Sequence, residues 1–340
     1  MQIRRKFLFV LFFALTLVAC NGRHTPNAYQ LSGNTMGTSY NITIVGEELV
    51  RPEIIDTALE DIENTMSTYR MDSELMQLNE APINTWINVS QSLYEVLQIS
   101  EEISLLSNGA FDITVAPLVN LWGFGPIKRE SGSLPDENEI QSLMNNIGFQ
   151  HLILAENQEA TEKHRAVHLD LSAVAKGYAV DVIAALLEAN NISNYLVEIG
   201  GEIRSKGRNA NGELWRIAIE LPERSTSSQS SHCIIQISNI SVASSGDYRN
   251  FYEVDGMFYS HTIDPRNGYP VEHNLASVTV LAESAAIADA LATAFNVMGT
   301  EQAMILANSN NIPAYFLVKT VDDFAASYST TFAQYINEEK

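Results

Sequence analysis

Residues 195–221 read YLVEIGGEIRSKGRNANGELWRIAIEL, and residues 233–237 read CIIQI. Three strand patterns, at 195–199, 215–221 and 233–237, follow one another here with no helical pattern between them. Strands that succeed one another directly favour antiparallel pairing, whereas a doubly wound parallel sheet needs a helix after each strand. The stretch therefore predicts an α+β fold in which a largely antiparallel sheet forms the core and helices pack against it.

Helical patterns lie on both sides of this stretch. Pro52 opens one whose apolar residues, Ile55, Leu59, Ile62 and Met66, recur at the spacing of a single helix face. Ser284 has the side chain of a helix N-cap, and Gly299 is a typical helix end. The remaining predicted elements are helices at 90–106, 172–190, 285–298 and 301–308, a helix that begins at Pro135, strands at 40–45 and 315–318, and a hairpin formed by 153–154 and 167–169.

Composition excludes several classes of protein. The chain has 340 residues, of which 46% are hydrophobic, and its formal net charge is −21. A chain with this apolar fraction can bury a sizeable core, which excludes a disordered protein. Its net negative charge disfavours nucleic-acid binding, because the phosphates would be repelled. Two cysteines supply neither a disulfide framework nor a four-thiolate zinc site.

The first twenty residues indicate export. Three basic residues precede an apolar run at 7–18, which is too short to span a bilayer but suits a signal peptide. Leu17-Val18-Ala19-Cys20 resembles the lipobox of bacterial lipoproteins, in which the cysteine is lipidated; an ordinary signal peptide that contains a cysteine is the alternative. We therefore expect a lipoprotein signal peptide at 1–19, a tether at 20–30 and one domain at 31–340. The protein is then lipid-anchored at Cys20 to a bacterial membrane and faces the periplasm.

Two clusters of small, acidic and aromatic residues are candidates for ligand binding. Gly109-Ala110-Phe111-Asp112 begins a glycine-rich stretch that permits close backbone approach to a flat ligand, although a packed loop has the same composition. Asp170 to Gly177 runs from a strand into a helix N-terminus, where free N–H groups attract anions; Asp170 and Ser172 could equally be simple helix caps.

Two further clusters carry residue types that do chemistry. His261 lies close in sequence to Asp247, Arg249 and Asp264, so either a catalytic or a structural histidine fits. Asp289 and Thr293 are four residues apart on a predicted helix, so their oxygens share one face and suit a hard cation such as Mg²⁺. Alternatively, the threonine hydroxyl bonds back to its own helix.

Taken together, these segments resemble the ApbE family, the FAD:protein FMN transferases, from about Met36 to Val318. The matching segments include 36–38, 67–79, 109–122, 170–181, 199–203, 245–251, 261–270 and 288–293. The resemblance implies a flavinyltransferase that binds FAD and uses Mg²⁺. It would attach FMN by a phosphoester bond to a threonine hydroxyl of a target protein and release AMP. Targets in the family are subunits of membrane redox complexes such as sodium-pumping NADH:quinone oxidoreductase, with an acceptor segment resembling Asp-x-x-[Ser/Thr]-Gly-[Ala/Ser]-Thr.

The resemblance also implies roles for particular residues. Ala173 through its carbonyl, Asp289 and Thr293 match metal ligands, and we predict that His261 takes the proton from the incoming threonine. Arg249 is our own candidate for a phosphate contact. The positions that match FAD contacts are Met36, Tyr69, Ala110, Phe111, Asp112, Asp170, Lys176 and Ile263.

Two alternatives stay open at this point. A periplasmic FAD pyrophosphatase would use water as the acceptor and produce FMN and AMP from the same site. A non-catalytic flavin-binding lipoprotein would leave FAD intact, but it would need neither His261 nor the Asp289–Thr293 face.

Overall fold

An eight-stranded sheet lies at the centre of the computed structural model, which describes residues 27–125, 134–221, 231–246, 251–254, 257–321 and 323–336. All its neighbouring strands are antiparallel, which confirms the predicted fold class. In spatial order the strands are β1 (Ala28–Thr35), β2 (Thr38–Val45), β6 (Tyr195–Ile199), β7 (Glu202–Lys206), β10 (Ile240–Gly246), β13 (Leu275–Ala282), β14 (Ala314–Lys319) and β15 (Phe324–Tyr328).

The α-helices of the described residues are α1 (Pro52–Met66), α2 (Glu74–Glu80), α3 (Gln91–Leu106), α4 (Ala116–Leu121), α5 (Glu137–Met144), α6 (Ala175–Ala189) and α7 (Ala285–Ser309). Helices α4 and α5 pack in a small core of their own, and the other helices form a layer on one face of the sheet. Helix α6 packs on β6 and β7, α7 packs on β10 and β13, and the two helices contact each other. Helices α1 and α3 pack in turn on α6 and α7. The main core therefore lies between the sheet and this layer of helices.

A hairpin of β8 (Trp215–Glu220) and β9 (Ser231–Ile237) covers the opposite face. Its apolar side chains, including Trp215 and Ile235, form a second core with Leu281 and Phe332. Because both faces of the central strand β13 are covered, seven of its eight residues are buried and its sequence, LASVTVLA, does not alternate. Two small sheets complete the described fold, one of β3 (Ile87–Asn88), β4 (Leu152–Leu154) and β5 (Ala160–Lys163) and one of β11 (Phe251–Val254) and β12 (Met257–Ser260).

The predicted hairpin of 153–154 with 167–169 is wrong. Strand β4 pairs with β5 instead. The backbone of Leu169 meets a side chain: its N–H donates to Asn79 Oδ1 at 2.7 Å, and its carbonyl accepts from Asn79 Nδ2 at 3.0 Å. The Asn79 carboxamide thus takes the place of a partner strand. The apolar pattern alone cannot show whether a strand or a side chain pairs with the Leu169 backbone.

The start of the domain also differs from the prediction. Strand β1 begins at Ala28, so the last three residues of the predicted 20–30 tether belong to the sheet. The predicted signal peptide at 1–19 and Cys20 lie outside the described residues. Within the ranges that the structure describes, none of the helices has the length and apolar character of a transmembrane span.

Helices α6 and α7 meet closely at Gly177. A Cβ atom placed there would lie 2.3 Å from the Ala285 carbonyl oxygen and 2.7 Å from Ala286 Cα. Asp181, one turn further along α6, accepts the backbone N–H groups of Ala285 and Ala286 at 3.0 Å each and the Ser284 hydroxyl at 2.7 Å. These contacts fix the N-terminal turn of α7 against α6.

We expect Gly177→Ala to destabilise the fold. In an open helix the change would be favourable by about 1 kcal/mol because alanine has the higher helix propensity. Here the methyl group meets backbone, which cannot rotate away, so we expect a net loss of about 1–3 kcal/mol in the free energy of unfolding. Urea denaturation followed by circular dichroism measures it. Unchanged or increased stability would contradict so close a crossing.

Candidate active site

A cavity of about 920 Å³ opens at one end of the sheet, beside the N-termini of α6 and α7. Its walls include the loop after α3, the loop before α6, the turn between β6 and β7, part of β8, the segment after β12 and the first turns of α7. The fold thereby brings together residues that are as much as 259 positions apart in the chain, from Thr38 to Val297. The predicted site residues that line the cavity are Tyr69, Ala110, Phe111, Asp112, Asp170, Ala173, Lys176, His261, Ile263, Asp289 and Thr293.

Helix α7 presents Asp289 and Thr293 to the cavity from consecutive turns, as predicted. Ser284 caps this helix, and its side chain accepts the Ile287 N–H at 3.3 Å. Asp289 is only 5% exposed, and its Oδ2 accepts the Gly177 N–H at 3.2 Å. Burial raises the pKa of Asp289, although Lys176 and this hydrogen bond oppose the shift. A carboxylate held in this way is a strong ligand for a cation.

The Ala173 carbonyl lies just before α6. Val174 has φ −149° and ψ −26°, so the chain is not yet helical there, and the Gly177 N–H bonds to Asp289 rather than to the preceding turn. No backbone N–H among the described residues donates to the Ala173 carbonyl. Since this carbonyl belongs to a residue that lines the cavity, it is chemically suited to act as a ligand.

Lys176 sits between two buried carboxylates, one of which the sequence analysis missed. Its Nζ lies 2.6 Å from Glu202 Oε1 and 3.8 Å from Asp289 Oδ2. Burial opposes the charge on Lys176, but the two carboxylates outweigh it and raise its pKa. Burial and the nearby Asp289 raise the pKa of Glu202 to about 8, against the effect of Lys176. Two acids therefore share one ammonium group.

This donor set fits a divalent cation. Glu202 Oε2 is buried without a hydrogen-bond partner, so the cavity that also holds Asp289 and Thr293 contains an oxygen acceptor with no donor among the described residues. The described residues contain no group of three or more His, Cys, Asp or Glu side chains arranged for a metal. One carboxylate, one hydroxyl and one carbonyl nevertheless suit Mg²⁺, which keeps several waters and takes further ligands from substrate phosphates.

Asp112 and Asp170 both organise their own loops. Asp112 Oδ1 accepts the Thr114 N–H at 2.8 Å, and its Oδ2 accepts the Phe149 N–H at 2.8 Å. Burial raises the pKa of Asp112, and those hydrogen bonds oppose the rise. Asp170 Oδ1 accepts the Ser172 N–H at 2.8 Å, a bond inside the loop before α6. The helix begins at Ala175 without a side-chain cap, so the alternative that Asp170 and Ser172 cap it is wrong. Their predicted contacts with FAD stay predictions.

His261 follows β12 and faces the cavity. Its ring makes an edge contact with Phe124 at 6.3 Å between centroids. Asp264, a charged neighbour in sequence, is occupied elsewhere: Arg266 Nε and one of its terminal nitrogens donate to the two carboxylate oxygens at 2.8 Å each. Ile263 is buried in a small core with Trp122, whose indole N–H bonds to the Gly268 carbonyl at 2.8 Å. The segment that carries His261 is thus held from the side away from the cavity.

The side-chain amide of Asn296 on α7 also holds the segment that carries His261. Asn296 Nδ2 lies 3.2 Å from both Ser245 Oγ and Thr262 Oγ1, and Asn296 is completely buried. No sequence motif indicates this link, because it joins residues from three separate parts of the chain.

The remaining predictions divide into three outcomes. Tyr69 lies at the cavity mouth and is 73% exposed. Met36 does not line the cavity, because it occupies the turn between β1 and β2 and packs partly against the main core; Thr38 and Ser39 of the same hairpin line it instead. Arg249 lies outside the described residues.

Comparison with known proteins shows the family of this chain. Residues 36–316 match the ApbE family. The chain is 41% identical to the FAD:protein FMN transferase of Vibrio cholerae over 98% of this chain and all of that one. It is 39% identical to the protein of the same name from Haemophilus influenzae over 94% of each.

Solved structures show the same fold. The flavin transferase ApbE from Vibrio cholerae superposes with a TM-score of 0.83 at 41% identity, over 91% of this chain and 99% of that one. The apo form of the flavinyl transferase ApbE from Pseudomonas stutzeri gives 0.83 at 36% identity, over 91% and 97%.

Proposed function

Because this chain belongs to the ApbE family, we propose that it is an enzyme that transfers the FMN moiety of FAD to a protein. The observation that carries the proposal is the single cavity lined by His261, Lys176 and the Asp289–Thr293 face. A flavin carrier without chemistry would need no buried acid, hydroxyl and histidine around one ligand. This chain spans nearly the full length of the relatives that bear the transferase name.

We propose that the acceptor atom is a threonine hydroxyl oxygen. It would attack the FMN-side phosphorus of FAD, form a phosphoester bond and displace AMP. His261 would take the hydroxyl proton as the new bond forms, since a histidine is suited to that role near neutral pH. Tyr69 at the mouth of the cavity is placed to stack on a ring of the substrate, and its bulk would help to exclude water.

Asp289, Thr293 and the Ala173 carbonyl would hold Mg²⁺ in this proposal. When bound, Mg²⁺ would neutralise charge on the pyrophosphate and favour departure of AMP. Lys176 would add a fixed positive charge on the same side, and Glu202 would hold its ammonium group in place. The strongly acidic chain can therefore accept a phosphate ligand because the charge is compensated locally.

We further propose where the enzyme works. Lipidation of Cys20 would place it on the periplasmic side of a bacterial membrane, beside acceptor subunits of membrane redox complexes. The N-terminal sequence and the family resemblance support this location.

One incubation separates the candidate activities. Purified protein is mixed with FAD and Mg²⁺, with and without a peptide of the pattern Asp-x-x-Thr-Gly-Ala-Thr, and FMN, AMP and flavinylated peptide are quantified. We expect AMP to be released only when the peptide is present, in an amount equal to that of the flavinylated peptide. Equal FMN release without the peptide would identify a pyrophosphatase instead, and intact FAD would identify a carrier. Host membrane extract in place of the peptide, followed by in-gel flavin fluorescence, identifies the acceptor.

A further inference from the structure

The loop at 67–73, between α1 and α2, displays large apolar side chains to solvent. Tyr69 is 73% exposed and Met71 is 77% exposed, yet Tyr69 also lines the cavity. A surface loop with such side chains is normally mobile, and ordering it on binding costs free energy. The contacts of this loop therefore decide whether Tyr69 is in place before the substrate arrives.

Arg70, between those two residues, is anchored on α1. One terminal nitrogen donates to Glu60 Oε1 at 2.5 Å and to Asn64 Oδ1 at 2.7 Å. The other donates to Glu60 Oε2 at 3.0 Å and to Glu63 Oε2 at 2.6 Å. A planar guanidinium bound by several acceptors has little freedom, because each hydrogen bond fixes the same rigid group.

Glu63 connects this anchor to a second part of the cavity wall. Its Oε1 accepts the Met36 N–H at 2.8 Å and the Thr35 hydroxyl at 2.9 Å. Met36 has φ +48°, a conformation that is unfavourable for a residue with a side chain. Thr38, two residues later, lines the cavity. One carboxylate thus holds both the β1–β2 turn and the Tyr69 loop.

The environment keeps this carboxylate charged. Glu63 is half-buried, and burial alone would raise its pKa, but the hydrogen bonds from Met36, Thr35 and Arg70 outweigh burial and lower it. Glu63 and Arg70 are both shielded in part from solvent, so their ion pair is stronger than one on an open surface.

The ends of the loop are tied to each other as well. Ser73 Oγ donates to the Ser67 carbonyl at 2.7 Å, and the Tyr69 N–H donates to Ser67 Oγ at 3.1 Å. The backbone of Tyr69 is therefore fixed on one side by Ser67 and on the other by Arg70, while its ring remains free to meet a ligand.

We propose that Glu63 and Arg70 are positioning residues for the flavin nucleotide: they hold Tyr69 preformed at the mouth of the cavity. Neither lines the cavity, so they act through the loop and not by touching the substrate. The inference rests on the proposed function, because it needs FAD in this cavity. Preformation increases affinity by removing the cost of ordering the loop on binding.

The test is a double-mutant cycle on FAD binding. Arg70→Gln removes the charge that reaches Glu63, and we expect the Kd for FAD to rise about tenfold, the size of one lost stacking contact. Tyr69→Ala should give a similar rise, and Arg70→Gln should add little in the Tyr69→Ala background. We expect kcat at saturating FAD to change less than twofold. Arg70→Lys should restore part of the affinity. Arg208→Gln, which removes the same charge at an exposed arginine that does not line the cavity, is the matched control and should leave the Kd for FAD unchanged.

Two results would overturn the proposal. One is unchanged FAD affinity in the folded Arg70→Gln variant, with folding checked by circular dichroism. The other is full additivity of Arg70→Gln and Tyr69→Ala, since Arg70 would then act by another route. A wild-type protein that binds FAD but fails to flavinylate any acceptor would contradict the proposed function alone, because the cycle measures binding and needs no transfer.

Discussion

Replacing His261 with alanine is expected to lower the rate of flavin transfer by about 10²–10⁴-fold, the usual contribution of a general base. The imidazole faces the cavity and is held by a segment fixed through Trp122 and Asn296. Removing the ring leaves the cavity walls in place, so we expect FAD affinity to stay within about threefold of wild type. Single-turnover transfer to the acceptor peptide and flavin fluorescence on binding measure the two quantities separately.

A histidine outside the cavity provides the control. The His164 side chain is about half exposed and lies 3.6 Å from Glu162, so His164→Ala should transfer at the wild-type rate. Near-normal transfer by His261→Ala would remove this histidine from the role of base. Loss of FAD binding in the same variant would show instead that the ring supports the substrate site.

Replacing Asp289 with asparagine is expected to abolish Mg²⁺-dependent transfer, with a loss of about 10³-fold or more, equivalent to ~4 kcal/mol of transition-state stabilisation. The amide oxygen can still accept the Gly177 N–H, so the α6–α7 contact is retained while the charge is lost. Isothermal titration with Mg²⁺ in the presence of FAD should show weaker binding, which gives a readout independent of turnover.

Two substitutions of Thr293, one turn away on α7, form a matched pair of variants. Thr293→Ser keeps the oxygen and should remain active, whereas Thr293→Val keeps the shape and should behave like Asp289→Asn. Full activity of Asp289→Asn, or wild-type transfer that persists in excess chelator, would refute the metal assignment.

Elements with local signals were predictable. The apolar face of α1 and the Ser284 cap of α7 follow from spacing and from one side chain, and the structure confirms both. The joint presentation of Asp289 and Thr293 follows from helix geometry alone, since residues four apart share a face. Local physics thus located the two metal-ligand candidates on α7 before any tertiary contact was known.

Features that depend on tertiary contacts were not predictable from pattern. Glu202 begins the segment Glu-Ile-Arg-Ser-Lys, which resembles an exposed strand, yet it is 3% exposed because α6 and α7 enclose it. Gly200 and Gly201, which both have positive φ, precede Glu202. This pair of glycines was the sequence signal that could have indicated an unusual turn there. Leu169 was assigned a strand partner where Asn79 supplies a carboxamide, because hydrophobic periodicity carries no information about which group pairs with the backbone.

If Asp289, Thr293 and the Ala173 carbonyl hold a cation as proposed, the close crossing of α6 and α7 at Gly177 would link metal affinity to folding. Such a cation would bind only when the two helices are in contact, because its ligands would lie on α7 and just before α6. Such a ligand stabilises the native state by about 2.7 kcal/mol when its free concentration is 100 times its Kd. The resistance of the enzyme to unfolding would then vary with the divalent-cation content of its compartment, and a substitution that separates the helices would weaken both properties together.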